Sequence, residues 1–366
     1  MPDPHLHLQP TIEHRKGRTI LTHRWMAPEG AKPLWPLTKP APPEGDPLRE
    51  ARMGFAIEDA VQNTEAVLND FVETLGDWDK SGKAAETLAA LHLHTWARYP
   101  EAAPIYHRFT VMRYDQDDFT ATFFPTKAAI LINPKPFEKA ETLFKRVPYL
   151  PYYREDFLTP IVLHEYTHFY NMIRANAELG FIGEGIKRSP PSVMAWRKLV
   201  IPNLGADVKF DPRLVDIVHP TLGEALMGGP FADEALTPEG SMAYRMAPPN
   251  RVVAPEVIER IGNPDPAQNP FYRLPYAGLS TAEIPTVFTE YAVYQPAALY
   301  AFDEFFGTKV KKGLEEYWGI PIVGKPDGND VERHLEYLHT GKFPWTEEEK
   351  EALRSVGLAP EGKNAP

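Results

Sequence analysis

His164-Glu165-Tyr166-Thr167-His168 sets two histidines four residues apart in a stretch whose surroundings read as one helix. On an α-helix, side chains four apart lie one above the other, so both imidazoles can reach a single metal ion. Glu165 directly follows the first histidine, where its carboxylate can work on a metal-bound water without being a ligand itself. The flanks support a helix: Thr159 is a suitable N-cap and Pro160 fits a first turn. Ile161, Val162, Leu163, Phe169, Met172 and Ile173 supply apolar faces, and Gly180 is a stop signal. The alternative is a buried helix whose histidines are satisfied by core hydrogen bonds. That alternative leaves Glu165 without a reason to sit on an apolar helix.

An H-E-x-x-H helix is the signature of zinc metallopeptidases, so the expected cofactor is Zn2+ and the expected chemistry is hydrolysis. A catalytic zinc takes three protein ligands and keeps a fourth position open. The chain has no cysteine, which restricts the third ligand to a carboxylate or another histidine. Four glutamates compete for that place: Glu184, Glu224, Glu283 and Glu290. Glu184 lies in Phe181-Ile182-Gly183-Glu184-Gly185, an apolar-x-Glu-Gly turn of a kind found in other glutamate zincins. Glu283 and Glu290 are seven apart on a helix expected to start near Ser280, so they share a face. One can then bind metal while the other orients a histidine N–H. Ser280 and Glu283 also read as a capping box.

With 366 residues the chain can bury a large core, and its 43% hydrophobic and 24% charged content is that of a globular protein. Residues 1–50 read as a proline-rich N-terminal arm, with prolines recurring from Pro28 to Pro47. Trp25 and Trp35 give this arm apolar groups with which to dock, either on its own domain or on a protein partner. Residues 51–366 read as a single catalytic domain with a long insertion at about 185–275, rich in proline and glycine. Apolar spacing predicts helices over Arg52–Asp79 and Ser81–Tyr99. His92 and His94, two apart on the second of these, point to different faces and cannot chelate together. Short strands are expected over Tyr106–Tyr114, Phe119–Phe124 and Ala128–Asn133. The C-terminal region reads as helical, broken near Gly319-Ile320-Pro321 and around Pro326–Gly328. The fold class expected is α+β, mainly helical, with a small sheet beside the H-E-x-x-H helix.

The run from Tyr276 to Tyr291, YAGLSTAEIPTVFTEY, resembles the second motif of the Mlc titration factor A peptidases, relatives of the anthrax lethal factor catalytic domain. The matching features are Tyr276 seven residues before Glu283, the pair Ala282-Glu283, and Thr289-Glu290-Tyr291. The resemblance spans the metal helix and this segment. Pro285 departs from the family's usual bulky residue, and the gap between His168 and Glu283 is longer than in the family. The resemblance implies a zincin-like metallopeptidase fold of the glutamate-zincin (gluzincin) type. It implies Glu283 as third ligand beside His164 and His168, with Glu184 as the alternative. It also implies Tyr276 as hydrogen-bond donor to the oxyanion and Glu290 as a supporting carboxylate.

Together these readings give a zinc-dependent metallopeptidase acting on a peptide or protein substrate, with Glu165 as general base. The competing expectation is an idle zincin-like structural or assembly protein, for example virion-associated, or a delivered toxin or effector. The net charge of -11 disfavours nucleic acid and an anionic membrane as partners. No run approaches a bilayer-spanning length, and MPDPHLHLQP lacks the apolar stretch of a signal peptide. The expected location is therefore cytoplasmic, with signal-independent export or virion association left open.

Overall fold

The computed structural model describes residues 7–15, 18–26, 57–115, 120–138, 157–179, 220–226, 229–230, 254–263, 265–279, 282–355 and 358–360. The protein is α+β and mainly helical, with a small mixed sheet. It divides into two compact units, one formed by residues 1–134 and 161–215 and the other by 135–160 and 216–366.

In the first unit, His7–Arg15 (β1) and Arg18–Met26 (β2) form an antiparallel hairpin within the proline-rich arm. β1 packs on helix α2 (Lys83–Arg98) and β2 on α1 (Ile57–Leu75). Both helices lie inside the predicted spans, and they bury Leu68, Phe71, Leu75, Leu88 and Trp96. Three short strands follow, Thr110–Arg113 (β3), Ala121–Phe124 (β4) and Ala129–Ile132 (β5), each inside a predicted strand segment. β5 is central, parallel to β3 and antiparallel to β4. Ile130 and Ile132 are fully buried, as a central strand requires.

Helix α3 (Leu158–Leu179) begins one residue before the predicted N-cap, so Thr159 and Pro160 both lie in its first turn, which corrects the capping role given to Thr159. Every residue from Leu158 to Ala177 is buried, so this helix is covered on all sides. Two of its polar side chains bond the helix's own backbone one turn back: Thr167 Oγ1 donates to Leu163 O at 2.6 Å and Asn176 Nδ2 to Met172 O at 2.8 Å. The sheet lies beside it, with the Phe109 and Phe123 rings 4.3 and 5.7 Å from the Phe169 ring.

The second unit is helical among its described residues: α4 (Pro220–Ala225), α5 (Pro255–Ile261), α6 (Leu274–Ala277), α7 (Glu283–Tyr294), α8 (Pro296–Phe306), α9 (Val310–Trp318), α10 (Gly328–Thr340) and α11 (Glu347–Arg354). Its core joins Phe271, Phe288, Tyr291, Phe302, Leu314 and Leu338. The expected break near Gly319 is a helix end, where Gly319 takes a left-handed φ of 69° that other residues rarely adopt. Ser280 lies outside the described residues, and α7 begins at Glu283 with Ala282 as N-cap and no side-chain cap. Glu283 therefore opens the helix instead of closing a capping box from its third position, which corrects that part of the sequence reading. Most of the expected insertion, Glu184 included, also lies outside the described residues. No helix among the described residues is long and apolar enough to cross a membrane.

Two buried histidines give this fold a pH dependence. His92, fully buried, is lowered from 6.5 to about 3, first by burial and then by the charge of His107. His334 is lowered to about 4, chiefly by burial. Below about pH 6.5 the unfolded chain takes up these protons while the folded chain does not. Stability is thus fullest above that pH and is lost as pH falls toward 4, at a rate on the order of 1 kcal/mol per pH unit for each histidine. Urea midpoints between pH 7 and pH 4.5 should show the slope, and His92→Gln should make it shallower. An equal slope in that variant would remove His92 from the account.

Candidate metal centre

Tyr166 sits two residues from each motif histidine and so points to the opposite side of α3. Its fully buried ring is fixed by long-range partners. The hydroxyl donates to His92 Nδ1 at 2.9 Å, and the ring meets Phe109 edge-on at 5.5 Å. On its other side, His92 Nε2 donates to Asn63 Oδ1 at 2.8 Å, an oxygen that also accepts from Trp96 Nε1 at 3.1 Å. A neutral imidazole with one donating and one accepting nitrogen satisfies this arrangement, in agreement with its lowered pKa. Tyr166 and Phe169 thus lock the helix face away from the motif histidines, and helix geometry then sets where those histidines point.

His164 and His168 stand one turn apart with ring centroids 5.0 Å from each other and planes at 79°. Both are buried, as is Glu165, which lies on the flank of the same turn. One ligand atom each from His164, His168 and half-buried Glu283 come within 4.8 Å of one another. Among the described residues this is the one His, Asp or Glu group able to hold a metal ion. Two imidazole nitrogens and one carboxylate oxygen are a donor set that suits zinc. Glu283 Oε2 already accepts from Thr286 Oγ1 at 3.2 Å, a contact that restricts its rotamer.

Glu290 is buried two turns along α7 from Glu283, on the same face as expected, and accepts from Arg273 Nη2 at 3.3 Å and Nε at 3.4 Å. Tyr276 is more than a third exposed, on α6, which packs on α7. The Arg273 guanidinium lies 4.6 Å from its ring centroid. Glu224 is exposed on α4, as a solvated helix residue would be. Sequence reasoning missed Arg273 and the His92 network. A signal for the first was present, because Glu290 sits buried in the apolar run EIPTVFTEYAVY and a carboxylate there needs a cationic partner.

No family model matches the chain, and neither the curated proteins nor the solved structures give a match.

Proposed function

We propose that this protein is a zinc-dependent peptide hydrolase of the glutamate-zincin type. The observation that carries the reading is the convergence of His164, His168 and Glu283 within 4.8 Å, with buried Glu165 on the same helical turn. When bound, zinc lowers the pKa of its water toward neutrality and polarises a carbonyl oxygen. His164, His168 and Glu283 would hold the ion, the single carboxylate leaving a net positive site. Glu165 accepts a proton from the attacking water and passes it to the nitrogen of the leaving amine. Tyr276 donates a hydrogen bond to the oxygen that becomes negative in the tetrahedral intermediate.

The sheet supports a peptide as substrate. Among the described residues β4 pairs with β5 alone, so its outer edge offers backbone groups to an extended peptide adding as a further strand. The zincin-like fold and the kinship with the Mlc titration factor A peptidases belong to the same proposal, resting on the H-E-x-x-H helix and the segment from Tyr276 to Tyr291.

The decisive experiment is elemental analysis of the purified chain together with digestion of a peptide library. The expected result is one zinc per chain and cleavage that stops with chelator and returns with added zinc. A chain that keeps its zinc yet cleaves no peptide would be the idle structural protein instead. A chain that binds no zinc would sink the hydrolase reading and leave the idle one standing.

A further inference from the structure

Arg273, Tyr276 and Glu290 form a connected group within one unit. Arg273 precedes α6 and Tyr276 lies three residues later, so the two side chains share a face of that turn. The guanidinium lies over the Tyr276 ring at 4.6 Å from its centroid, within reach of a cation–π contact. The other edge of the same guanidinium meets the Glu290 carboxylate at 3.3 and 3.4 Å. Side-chain exposure is 16% for Arg273 and 3% for Glu290, so the ion pair is largely withdrawn from water.

Fold stability alone is a weak reason to keep such a pair. The desolvation of two buried charges roughly offsets their attraction, and apolar residues of similar volume usually serve as well. Capture of a substrate carboxylate is also a poor fit, since the Glu290 charge already neutralises Arg273. What the group does supply is a fixed seat for an aromatic ring that is 37% exposed and so weakly held by packing. Leu279, the next exposed residue on this segment, is 70% exposed and adds little confinement. A hydrogen-bond donor to a developing oxyanion works best when it is already aimed, because reorienting it during reaction costs part of its effect.

We propose that Arg273 is a positioning residue that holds the Tyr276 ring in its working orientation, and that Glu290 anchors Arg273 for this purpose. The inference deepens the hydrolase reading and rests on it for the role of Tyr276. It assigns Glu290 a duty besides the histidine contact expected from the sequence.

The test is a double-mutant cycle of Arg273→Gln and Tyr276→Phe, with kcat, KM, zinc content and melting temperature measured for each variant. Arg273→Gln is expected to lower kcat about tenfold or more, with KM within about twofold and zinc content unchanged. In the Tyr276→Phe background it should lower kcat by less than about twofold. Arg273→Lys, which keeps the charge but not the flat fork, should restore part of the loss. An equal loss in both backgrounds, a fall in zinc content, or no loss at all would overturn the assignment. A readout free of activity is the fluorine resonance of 3-fluorotyrosine installed at position 276. Arg273→Gln should shift and narrow it, and an unchanged resonance would overturn the proposal even if the protein cleaves no peptide. Absence of cleavage by the parent chain would instead count against the hydrolase reading.

Discussion

Changing Glu165 to glutamine should abolish peptide hydrolysis while the protein keeps its zinc. Glutamine matches glutamate in size and accepts hydrogen bonds at one oxygen, so it can occupy the same buried position on the flank of α3. It cannot take up the proton of the attacking water or return it to the leaving nitrogen. Proton transfer by a positioned side chain contributes about 10²–10⁴-fold, and in the proposed mechanism one carboxylate serves both transfers, so a loss of roughly a thousandfold in kcat is expected. Because Glu165 is not among the three proposed ligands, zinc stoichiometry should stay at the parent value. The pair of measurements separates base from ligand. Near-parental turnover would refute the general-base role, whereas lost zinc would make Glu165 part of the metal cage.

The site was legible in the sequence to the extent that its parts are local. Two histidines four apart on an apolar helix define a face whatever the rest of the chain does, and α3 carries them as expected. The short strands and α7 were legible for the same reason, since their apolar periods are read over a few residues. The partners across the fold were not. His92 and Tyr166 are separated by 74 positions, and no period or spacing links them. Sequence identifies His92 as one histidine of a pair that cannot chelate, but only the packed structure shows it fixing the side of α3 that carries Tyr166. Arg273 was missed in the same way, its stacking partner three residues away and its ionic partner 17. The β1–β2 hairpin went unread because proline content dominated the reading of the first fifty residues, whereas strand pairing in His7–Met26 precedes the densest prolines. The capping expectation at Ser280 placed Glu283 third in its helix; a start at Glu283 removes that competing duty from its carboxylate.

Changing Glu283 to alanine should lower zinc affinity by at least about a hundredfold, beyond the 10–100-fold typical of losing a supporting contact. The argument is one of charge as much as of geometry. In the proposed centre His164 and His168 would bind as neutral imidazoles, so Glu283 would be the one negative group of the three, and removing it would leave a divalent ion held by two neutral donors. Chelator-competition titration measures the change, and circular dichroism at matched temperature checks that α7 still forms. His168→Ala should cause a loss of similar size, since it would also remove a proposed ligand. Glu184→Ala should leave the affinity at the parent value. The opposite pattern, with full affinity in Glu283→Ala and loss in Glu184→Ala, would move the third ligand into the segment after α3. The two histidines would then keep their role, and the link from Glu283 to the resemblance over Tyr276–Tyr291 would be broken.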